Sequence, residues 1–305
     1  MNLPNQLDAL HLLAALALLA TVCVMTVYLA VCTVVAQRFT RARRQEPAAG
    51  PDTAVQVWLA ARDGRALITG WYLDPGATRG AVLFVHGKDA CRGDEFKTPS
   101  APLARQLAAA GFAVLAIDLR GHGTSSRARL TYGACERHDV LGAVDWLRAQ
   151  GHLRVGVLGA SMGASTALLA AADEPAILAL VADSPFADFA AMIERQFRRL
   201  SHLPGFFLPG ALAIGRLMTG VDLRSVCPLA SAATLGSRPV LVIHSEGDRF
   251  VPVDDARAIA RASGAELWTT ATQRHIGSYG GHPEAYAARV LTFFDRHLGA
   301  AVSKA

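Results

Sequence analysis

Short apolar runs alternate with amphipathic stretches along most of the chain. Uninterrupted apolar runs are typical of parallel strands covered on both faces, whereas apolar positions three and four residues apart indicate helices. The predicted strands are Ala81–Val85, Ala113–Ile117, the run that opens at Val155, Leu178–Ala182, Val240–Ile243 and Glu266–Thr270. The predicted helices are Pro102–Ala110, Cys135–Ala149, one from the end of the Val155 run to about Ala172, and Pro283–Leu298. Repeated strand–helix units predict an α/β fold with a mostly parallel sheet, helices on both faces and right-handed crossovers.

The first two strands show a different pattern, in which apolar and polar residues alternate. Val55–Ala60 and Ala66–Tyr72 alternate in this way. They flank Asp63-Gly64, a dipeptide that supplies the positive φ angle of a tight hairpin turn. The pattern therefore predicts an antiparallel hairpin at one edge of the sheet.

A long insertion interrupts the strand–helix series between Ser184 and Gly236. It contains helical patterns at Phe186–Leu200 and Leu203–Met218 and no convincing strand. Its many large apolar residues argue against disorder. We predict a helical cap over residues 184–236, which overhangs the ends of the strands. The apolar stretch Leu203–Met218 is either the core of this cap or a surface that meets a bilayer and admits lipid-like acyl chains.

The N-terminal segment is the most apolar part of the chain. Residues Ala9–Gln37 include no charged side chain, and a helix over His11–Ala36 is longer than the roughly 30 Å hydrocarbon core of a bilayer. A cleaved signal peptide is the main alternative, but it requires a basic N-terminal region and a shorter apolar segment. Met1–Asp8 holds no Lys or Arg. We therefore predict one uncleaved transmembrane helix that anchors the protein in a membrane.

Four arginines follow the apolar segment directly: Arg38, Arg41, Arg43 and Arg44. The positive-inside rule places such a flank on the cytoplasmic side, so the main domain is predicted to be cytoplasmic. With Asp8 these arginines give residues 1–44 a net charge of +3, which leaves only +2 of the total +5 for the rest. The pI near 9.2 thus reflects the membrane flank, and no nucleic-acid partner is predicted.

The composition is consistent with one large α/β domain and an appendage. The hydrophobic content of 52% is high because of the N-terminal segment. The predicted organisation is an anchor with its basic flank at residues 1–44, a linker rich in Pro and small residues at 45–53, the α/β domain at 54–300 with the cap inserted, and a tail at 301–305.

The five cysteines do not form a recognisable disulfide framework. Cys23 and Cys32 lie in the predicted span, whereas Cys91, Cys135 and Cys227 are isolated and odd in number. This distribution agrees with a reducing compartment.

A candidate nucleophile lies where the Val155 run turns into its helix. Gly159–Gly163 reads GASMG and fits the G-x-S-x-G nucleophile elbow, in which a serine is held on a strained turn from strand to helix. Crowding at such a turn requires residues with almost no side chain two positions before and two positions after Ser161. The pattern is weak alone, since a loop serine in a glycine-rich chain can match it by chance.

An acid and a histidine follow later strands. Asp248 comes after the Val240 strand, at the end where open α/β sheets build their sites, and an Asx turn beside Gly247 is the less favoured alternative. His275 lies in a loop after the last strand. A serine hydroxyl needs an adjacent base, which a third group orients. Ser161, Asp248 and His275 follow the chain order of an α/β-hydrolase triad.

Other polar residues have simpler explanations. His282 is a rival base, but it precedes a proline at a predicted helix start, where helix capping explains it. Asp183 is a rival acid, for which a role at the start of a helix is preferred. Asp118 and His122 are predicted to brace their loop, and His86 is predicted to be structural. No cluster has metal-ligand spacing.

These motifs together make residues 53–298 resemble an α/β-hydrolase of the serine-hydrolase type, similar to esterases, acyl-thioester hydrolases and serine aminopeptidases. The matching patterns are His86-Gly87, Asp118–Ser125, Gly159–Gly163, Gly247-Asp248 with Val251-Pro252, and His275 ahead of Ser278-Tyr279 and His282-Pro283. The resemblance implies that Ser161 is the nucleophile, His275 the general base and then acid, and Asp248 the orienting carboxylate. It also implies an oxyanion hole from the backbone N–H groups of Met162 and Lys88, although Lys88 replaces the small or apolar residue expected there.

The predicted function is hydrolysis of a carboxylic ester or thioester through an acyl-enzyme, with no cofactor, by a membrane-anchored enzyme. A small-molecule acyl ester or a lipid-like molecule is the expected substrate. Two alternatives remain, a serine peptidase of the same fold and a non-catalytic membrane-tethered binding module.

Overall fold

The computed structural model describes residues 3–47, 50–76 and 79–299. Eight strands form one sheet: β1 Val55–Ala60, β2 Leu67–Leu73, β3 Ala81–Val85, β4 Ala113–Ile117, β5 Val155–Ala160, β6 Ile177–Asp183, β7 Val240–Ser245 and β8 Glu266–Thr270. Their order across the sheet is β1-β2-β4-β3-β5-β6-β7-β8. Both pairs that include β2 are antiparallel, and all other neighbours are parallel. The predicted mostly parallel α/β sheet is confirmed.

Ten α-helices and one 3₁₀ helix accompany the sheet in the described residues. They are α1 Leu3–Phe39, α2 Ala101–Ala109, α3 Arg137–Ala149, α4 Met162–Asp173, α5 Phe189–Ser201, α6 Phe207–Thr219, the 3₁₀ helix Leu223–Ser225, α7 Pro228–Ala233, α8 Val253–Ser263, α9 Gly277–Gly281 and α10 Pro283–Leu298. The tail predicted at residues 301–305 lies outside the described residues.

Strands β3 to β7 are buried on both faces, which explains their continuous apolar sequences. Side chains of a strand point alternately to opposite faces. In β3, Leu83 and Val85 join a core that includes residues of α3, α4 and α8, whereas Val82 and Phe84 join a second core with α2 and α10. All five residues of β3 are buried.

The edge hairpin is looser than the tight turn that the sequence suggests. Residues 61–66 connect β1 to β2, and Val55 pairs with Tyr72 at the open end. Gly64 has a φ of 67°, and its N–H donates to the carbonyl of Ala61 over 2.8 Å. The predicted positive φ is therefore present, inside a six-residue connection.

Residues between β6 and β7 form helices and no strand. Helix α5 begins at Phe189, three residues later than the pattern predicted, because Asp188 caps it: the Asp188 carboxylate accepts from the N–H of Ala191 over 2.8 Å. The segment from Ser184 to Asp188 consequently leaves the sheet as irregular chain, with a φ of 55° at Ser184.

The last turns of the apolar helix α1 pack against the surface of the α/β domain. Its segment Ala9–Phe39, with a mean hydropathy of 2.5, is long and apolar enough to cross a membrane by length and composition. Its last turns pack on α6: the ring of Tyr28 stacks on Phe207 at 5.3 Å, and the Tyr28 hydroxyl donates to the carbonyl of Phe206 over 3.1 Å. A side chain at Gly210 would lie 2.6 Å from the sulfur of Cys32, so glycine permits this close approach.

The chain beyond α1 is bound to the α/β domain. Thr40 accepts through its carbonyl from the N–H of Leu130 over 2.8 Å, and the Tyr132 hydroxyl donates to the carbonyl of Phe39 over 2.9 Å. The Arg44 guanidinium donates to a backbone carbonyl over 2.8 Å. These bonds hold the basic flank against the α/β domain.

Candidate active site

Ser161 lies on a strained turn between β5 and α4. Its φ of 53° and ψ of −119° are unusual for a residue with a side chain. A Cβ atom at Gly159 would lie 2.5 Å from the carbonyl oxygen of Gly163, and one at Gly163 would lie 2.3 Å from that of Val85. Rigid backbone therefore excludes side chains at both glycine positions, as the elbow motif requires.

The structure brings the three sequence-predicted side chains into one hydrogen-bonded chain. The Ser161 Oγ atom lies 2.7 Å from Nε2 of His275. The Nδ1 atom of the same imidazole lies 2.6 Å from Oδ2 of Asp248. Asp248 is supplied by the loop after β7, and His275 by the loop between β8 and α9. This geometry suits proton transfer from the hydroxyl to the imidazole.

The carboxylate of Asp248 is fixed on both oxygens. Its Oδ1 atom accepts from the backbone N–H of Phe250 over 2.8 Å and from that of Val251 over 3.0 Å. Burial alone would raise the pKa of Asp248, but the hydrogen bond and charge of His275 and these two N–H groups lower it below its ordinary value. Asp248 is therefore ionised, and Oδ2 is held toward the imidazole.

A second histidine, which the sequence did not single out, contacts the same carboxylate. Nε2 of His244 lies 2.9 Å from the carbonyl oxygen of Val251 and 3.6 Å from Oδ2 of Asp248. Its Nδ1 atom is buried and has no partner in the described part of the chain. Burial lowers the pKa of His244, so the imidazole is neutral and packs as a structural neighbour. The one sequence feature that could have pointed to His244 is its position four residues before Asp248.

The rival acid and base do not join this chain. Asp183 is fully buried at the end of β6 and accepts from the hydroxyls of Ser184, over 2.8 Å, and Tyr286, over 3.1 Å. The expected role at a helix start is wrong, because Asp188 caps α5 instead. Burial raises the pKa of Asp183 to about 6 despite these bonds. His282 is exposed, and its carbonyl rather than its imidazole serves the start of α10.

Two buried histidines hold the loops around the elbow. Nε2 of His86 accepts from the N–H of Leu119 over 3.0 Å, and Nε2 of His122 accepts from that of Asp89 over 3.3 Å. The two rings contact edge to face at 4.8 Å. Burial lowers the pKa of each imidazole to about 4, so both are neutral acceptors.

Asp118 braces the loop that contains Gly121–Gly123. It forms a buried ion pair with Arg92 and accepts from the N–H of Thr124 over 2.9 Å. A side chain at Gly123 would overlap the Asp118 carboxylate, at 1.9 Å from Oδ2. The loop is therefore closed around this carboxylate.

Two backbone N–H groups are available near the serine. Met162 is the first residue of α4, where helical N–H groups have no partner within the helix. Lys88 follows Gly87, at which a Cβ atom would lie 3.2 Å from Cβ of Ser161. Within the described residues, no hydrogen bond uses the N–H of Met162 or Lys88. The ammonium group of Lys88 instead pairs with Asp89.

A cavity of about 1250 Å³ opens over Ser161 and His275. Its wall includes Met192 and Phe250, and also Phe39 at the end of α1. Seven Lys or Arg side chains and one carboxylate line it, and four of these cations are the arginines of the basic flank. The sequence analysis did not predict that these four arginines line the site, because the positive-inside rule already explained why they follow the apolar helix.

No group of His, Cys, Asp and Glu suited to a metal ion occurs in residues 3–47, 50–76 and 79–299.

Comparison with known proteins identifies the family. A family model described as serine aminopeptidase, S33, matches residues 76–228, just over half of the chain. The uncharacterized protein YqkD of Bacillus subtilis (strain 168) is 34% identical over 192 residues, which are 61% of this chain and 63% of YqkD. The chain therefore aligns with less than two thirds of that relative.

Solved structures show the same fold. An esterase from Pyrococcus furiosus is 26% identical with a TM-score of 0.72, covering 86% of this chain and 99% of the esterase. The acylaminoacyl peptidase of Pyrococcus horikoshii has a TM-score of 0.62 at 18% identity, covering 83% of this chain and 42% of the peptidase, and shows the fold alone. The chain has the α/β-hydrolase fold and belongs to the family described as serine aminopeptidase, S33.

Proposed function

We propose that the protein is a membrane-anchored serine hydrolase that cleaves a carboxylic ester or thioester through an acyl-enzyme. The observation that carries this proposal is the continuous hydrogen-bonded chain from Asp248 through His275 to Ser161 at the elbow. An esterase is among the solved structures of similar fold.

In the proposed reaction, the Ser161 oxygen attacks the acyl carbonyl while Nε2 of His275 takes its proton. Asp248, ionised and fixed by two N–H groups, stabilises the imidazolium that forms. The N–H groups of Met162 and Lys88 bind the developing oxyanion, each typically contributing a few kcal/mol. His275 then protonates the leaving alcohol or thiol, and water, activated by the same imidazole, releases the acid.

The proposed anchor is α1, with the α/β domain in the cytoplasm. The length and apolar composition of Ala9–Phe39 and the arginines beyond it support this placement. In bacterial cells, alkaline phosphatase fused after Ala305 is expected to be inactive, whereas a fluorescent protein at the same position is expected to fluoresce. Periplasmic phosphatase activity would contradict the cytoplasmic placement.

A serine peptidase is the second candidate, since the matching family is described as an aminopeptidase. An aminopeptidase must accommodate a cationic α-amino group, for which a carboxylate is the usual partner. The cavity has a single carboxylate, Asp89, which already pairs with Lys88. The excess of cations therefore favours ester substrates over free peptide N-termini.

The test is hydrolysis of p-nitrophenyl acyl esters by the full chain in detergent micelles. Ser161→Ala and His275→Ala are expected to lose hydrolysis, whereas His282→Ala, the matched histidine control, retains it. A panel of esters, thioesters and short peptides identifies the bond cleaved. No turnover across this panel by the folded protein would favour the non-catalytic module, and release of amino acids from peptides alone would favour the peptidase.

A further inference from the structure

Helix α1 is longer than a bilayer requires. The 31 residues of Ala9–Phe39 rise about 46 Å, whereas the hydrocarbon core is roughly 30 Å thick. About ten residues therefore remain outside the hydrocarbon core. We infer that these are the last turns of α1, because there Val35 packs with Phe197 of α5 and Ala211 of α6 instead of facing lipid. The cavity that begins at these turns consequently lies at the membrane surface.

An apolar groove leads along this part of α1 to the cavity. The groove, of about 310 Å³, is lined by Ala30, Val31, Val35 and Leu203. The groove and the cavity over Ser161 share three lining residues, Val34, Arg38 and Phe39. The groove and the cavity therefore adjoin along α1, and the groove is lined mostly by apolar side chains, which suits a hydrocarbon chain.

The lining of the cavity is strongly basic. The flank contributes its four arginines, and Lys88, Lys97 and Arg127 come from separate loops of the α/β domain. Membrane topology explains basic residues beside a span but not those on distant loops. Of the seven cations, only Lys88 pairs with the single carboxylate of the cavity, Asp89. The other six form no ion pair in the described part of the chain, so the lining of the cavity carries an excess of positive charge.

We propose that the site takes an anionic amphiphile, an acyl ester whose acyl chain lies in the groove and whose phosphate or carboxylate group binds this basic surface. The inference rests on the proposed serine hydrolase function. The ester carbonyl then lies at Ser161, which lines the same cavity. The ester C–O bond breaks as the bond from Oγ of Ser161 to the acyl carbon forms, and His275 protonates the anionic alcohol. Water then releases the acyl chain as a fatty acid.

The test compares substrates that share one ester and differ in charge. The full chain in dodecylmaltoside micelles is given 1-oleoyl lysophosphatidylglycerol, which is anionic, 1-oleoyl lysophosphatidylcholine, which is zwitterionic, and 1-oleoylglycerol, which is neutral. At low salt, kcat/KM is expected to be at least about tenfold higher for the anionic ester, because several cations face one anion. This preference should shrink severalfold at 0.5 M salt, where charges are screened within about 4 Å.

Two arginines allow a matched comparison. Arg41→Gln combined with Arg127→Gln removes exposed guanidinium groups from the two sources of cations and should lower the anionic-to-neutral ratio about twofold to twentyfold. Arg148→Gln combined with Arg261→Gln removes two exposed arginines that do not line the cavity and should leave the ratio unchanged.

A second comparison tests whether the anionic ester must come from a lipid phase. The hexanoyl form of lysophosphatidylglycerol carries the same headgroup but is water-soluble, and it should be hydrolysed more slowly than the oleoyl form. Faster hydrolysis of the hexanoyl form would overturn the role of the bilayer-facing groove. Equal turnover of anionic and neutral esters would overturn the role of the basic surface and leave the hydrolase function intact. No hydrolysis of any ester and no fluorophosphonate labelling would refute both proposals together.

Discussion

Replacing Asp248 by asparagine tests how the imidazole is held. Two backbone N–H groups, at 2.8 and 3.0 Å, occupy Oδ1 of the carboxylate. The oxygen of an asparagine amide must take this place, so its NH₂ group faces Nδ1 of His275. That nitrogen must then accept, and Nε2 carries the proton and cannot take one from Ser161. The variant therefore keeps the shape of the site but reverses the tautomer of the base.

The same substitution removes the charge that stabilises the imidazolium. With charge centres about 4 Å apart and an effective dielectric constant of about 20, the attraction is about 4 kcal/mol, which corresponds to roughly a thousandfold in rate. We expect kcat for p-nitrophenyl octanoate to fall about a thousandfold with KM changed little, and fluorophosphonate labelling to slow in parallel.

The matched control is Asp254→Asn. Asp254 is 79% exposed and pairs with Arg257 on the surface of α8, so activity and thermal unfolding should stay at the level of the unmodified protein. An Asp248→Asn variant that unfolds normally and keeps kcat within about fivefold would refute the role assigned to this carboxylate.

Two further predictions concern the residues that support the site, the crowded glycine of the elbow and the two buried histidines beside it. Gly163→Ala places a Cβ atom 2.3 Å from the carbonyl oxygen of Val85 and should lower the free energy of unfolding by about 1 to 3 kcal/mol or more. Gly205→Ala, which meets open space, should change it by less than about 0.5 kcal/mol, and equal effects in urea unfolding would contradict the crowding argument. The imidazoles of His86 and His122, with folded-state pKa values of about 4, should titrate far below pH 6.5 in NMR spectra of ¹³C-histidine-labelled protein. Because protonation favours the unfolded chain, each group should destabilise the fold by about 2 kcal/mol between pH 7 and pH 5, and midpoints near pH 6.5 would contradict their burial.

The strands could be predicted because most are buried on both faces and therefore lack polar interruptions. The exceptions have a physical cause. Strand β7 extends two residues further than predicted, through His244 and Ser245, which are polar but fully buried. His244 is accommodated by a hydrogen bond to the carbonyl of Val251, a contact seven residues away that no local pattern reveals.

The three side chains of the candidate site could be proposed from order and spacing along the chain, since each follows a predicted strand. Their surroundings could not. The contact between α1 and α6 depends on Tyr28 and Gly210, which look unremarkable within apolar sequence. The basic flank already had one explanation in membrane topology, so its place in the cavity wall had no separate signal. The packing of α1 on α6 and the position of the basic flank in the cavity wall both depend on contacts between segments far apart in the sequence, which local sequence patterns do not reveal.

The most direct test of the central claim is to identify the residue that a fluorophosphonate modifies in the folded full-length protein. Peptide mapping by mass spectrometry should place a single adduct on Ser161, and Ser161→Ala should abolish both the adduct and ester hydrolysis. An adduct on another serine, or unchanged labelling and hydrolysis in Ser161→Ala, would contradict the assignment of Ser161 as the nucleophile.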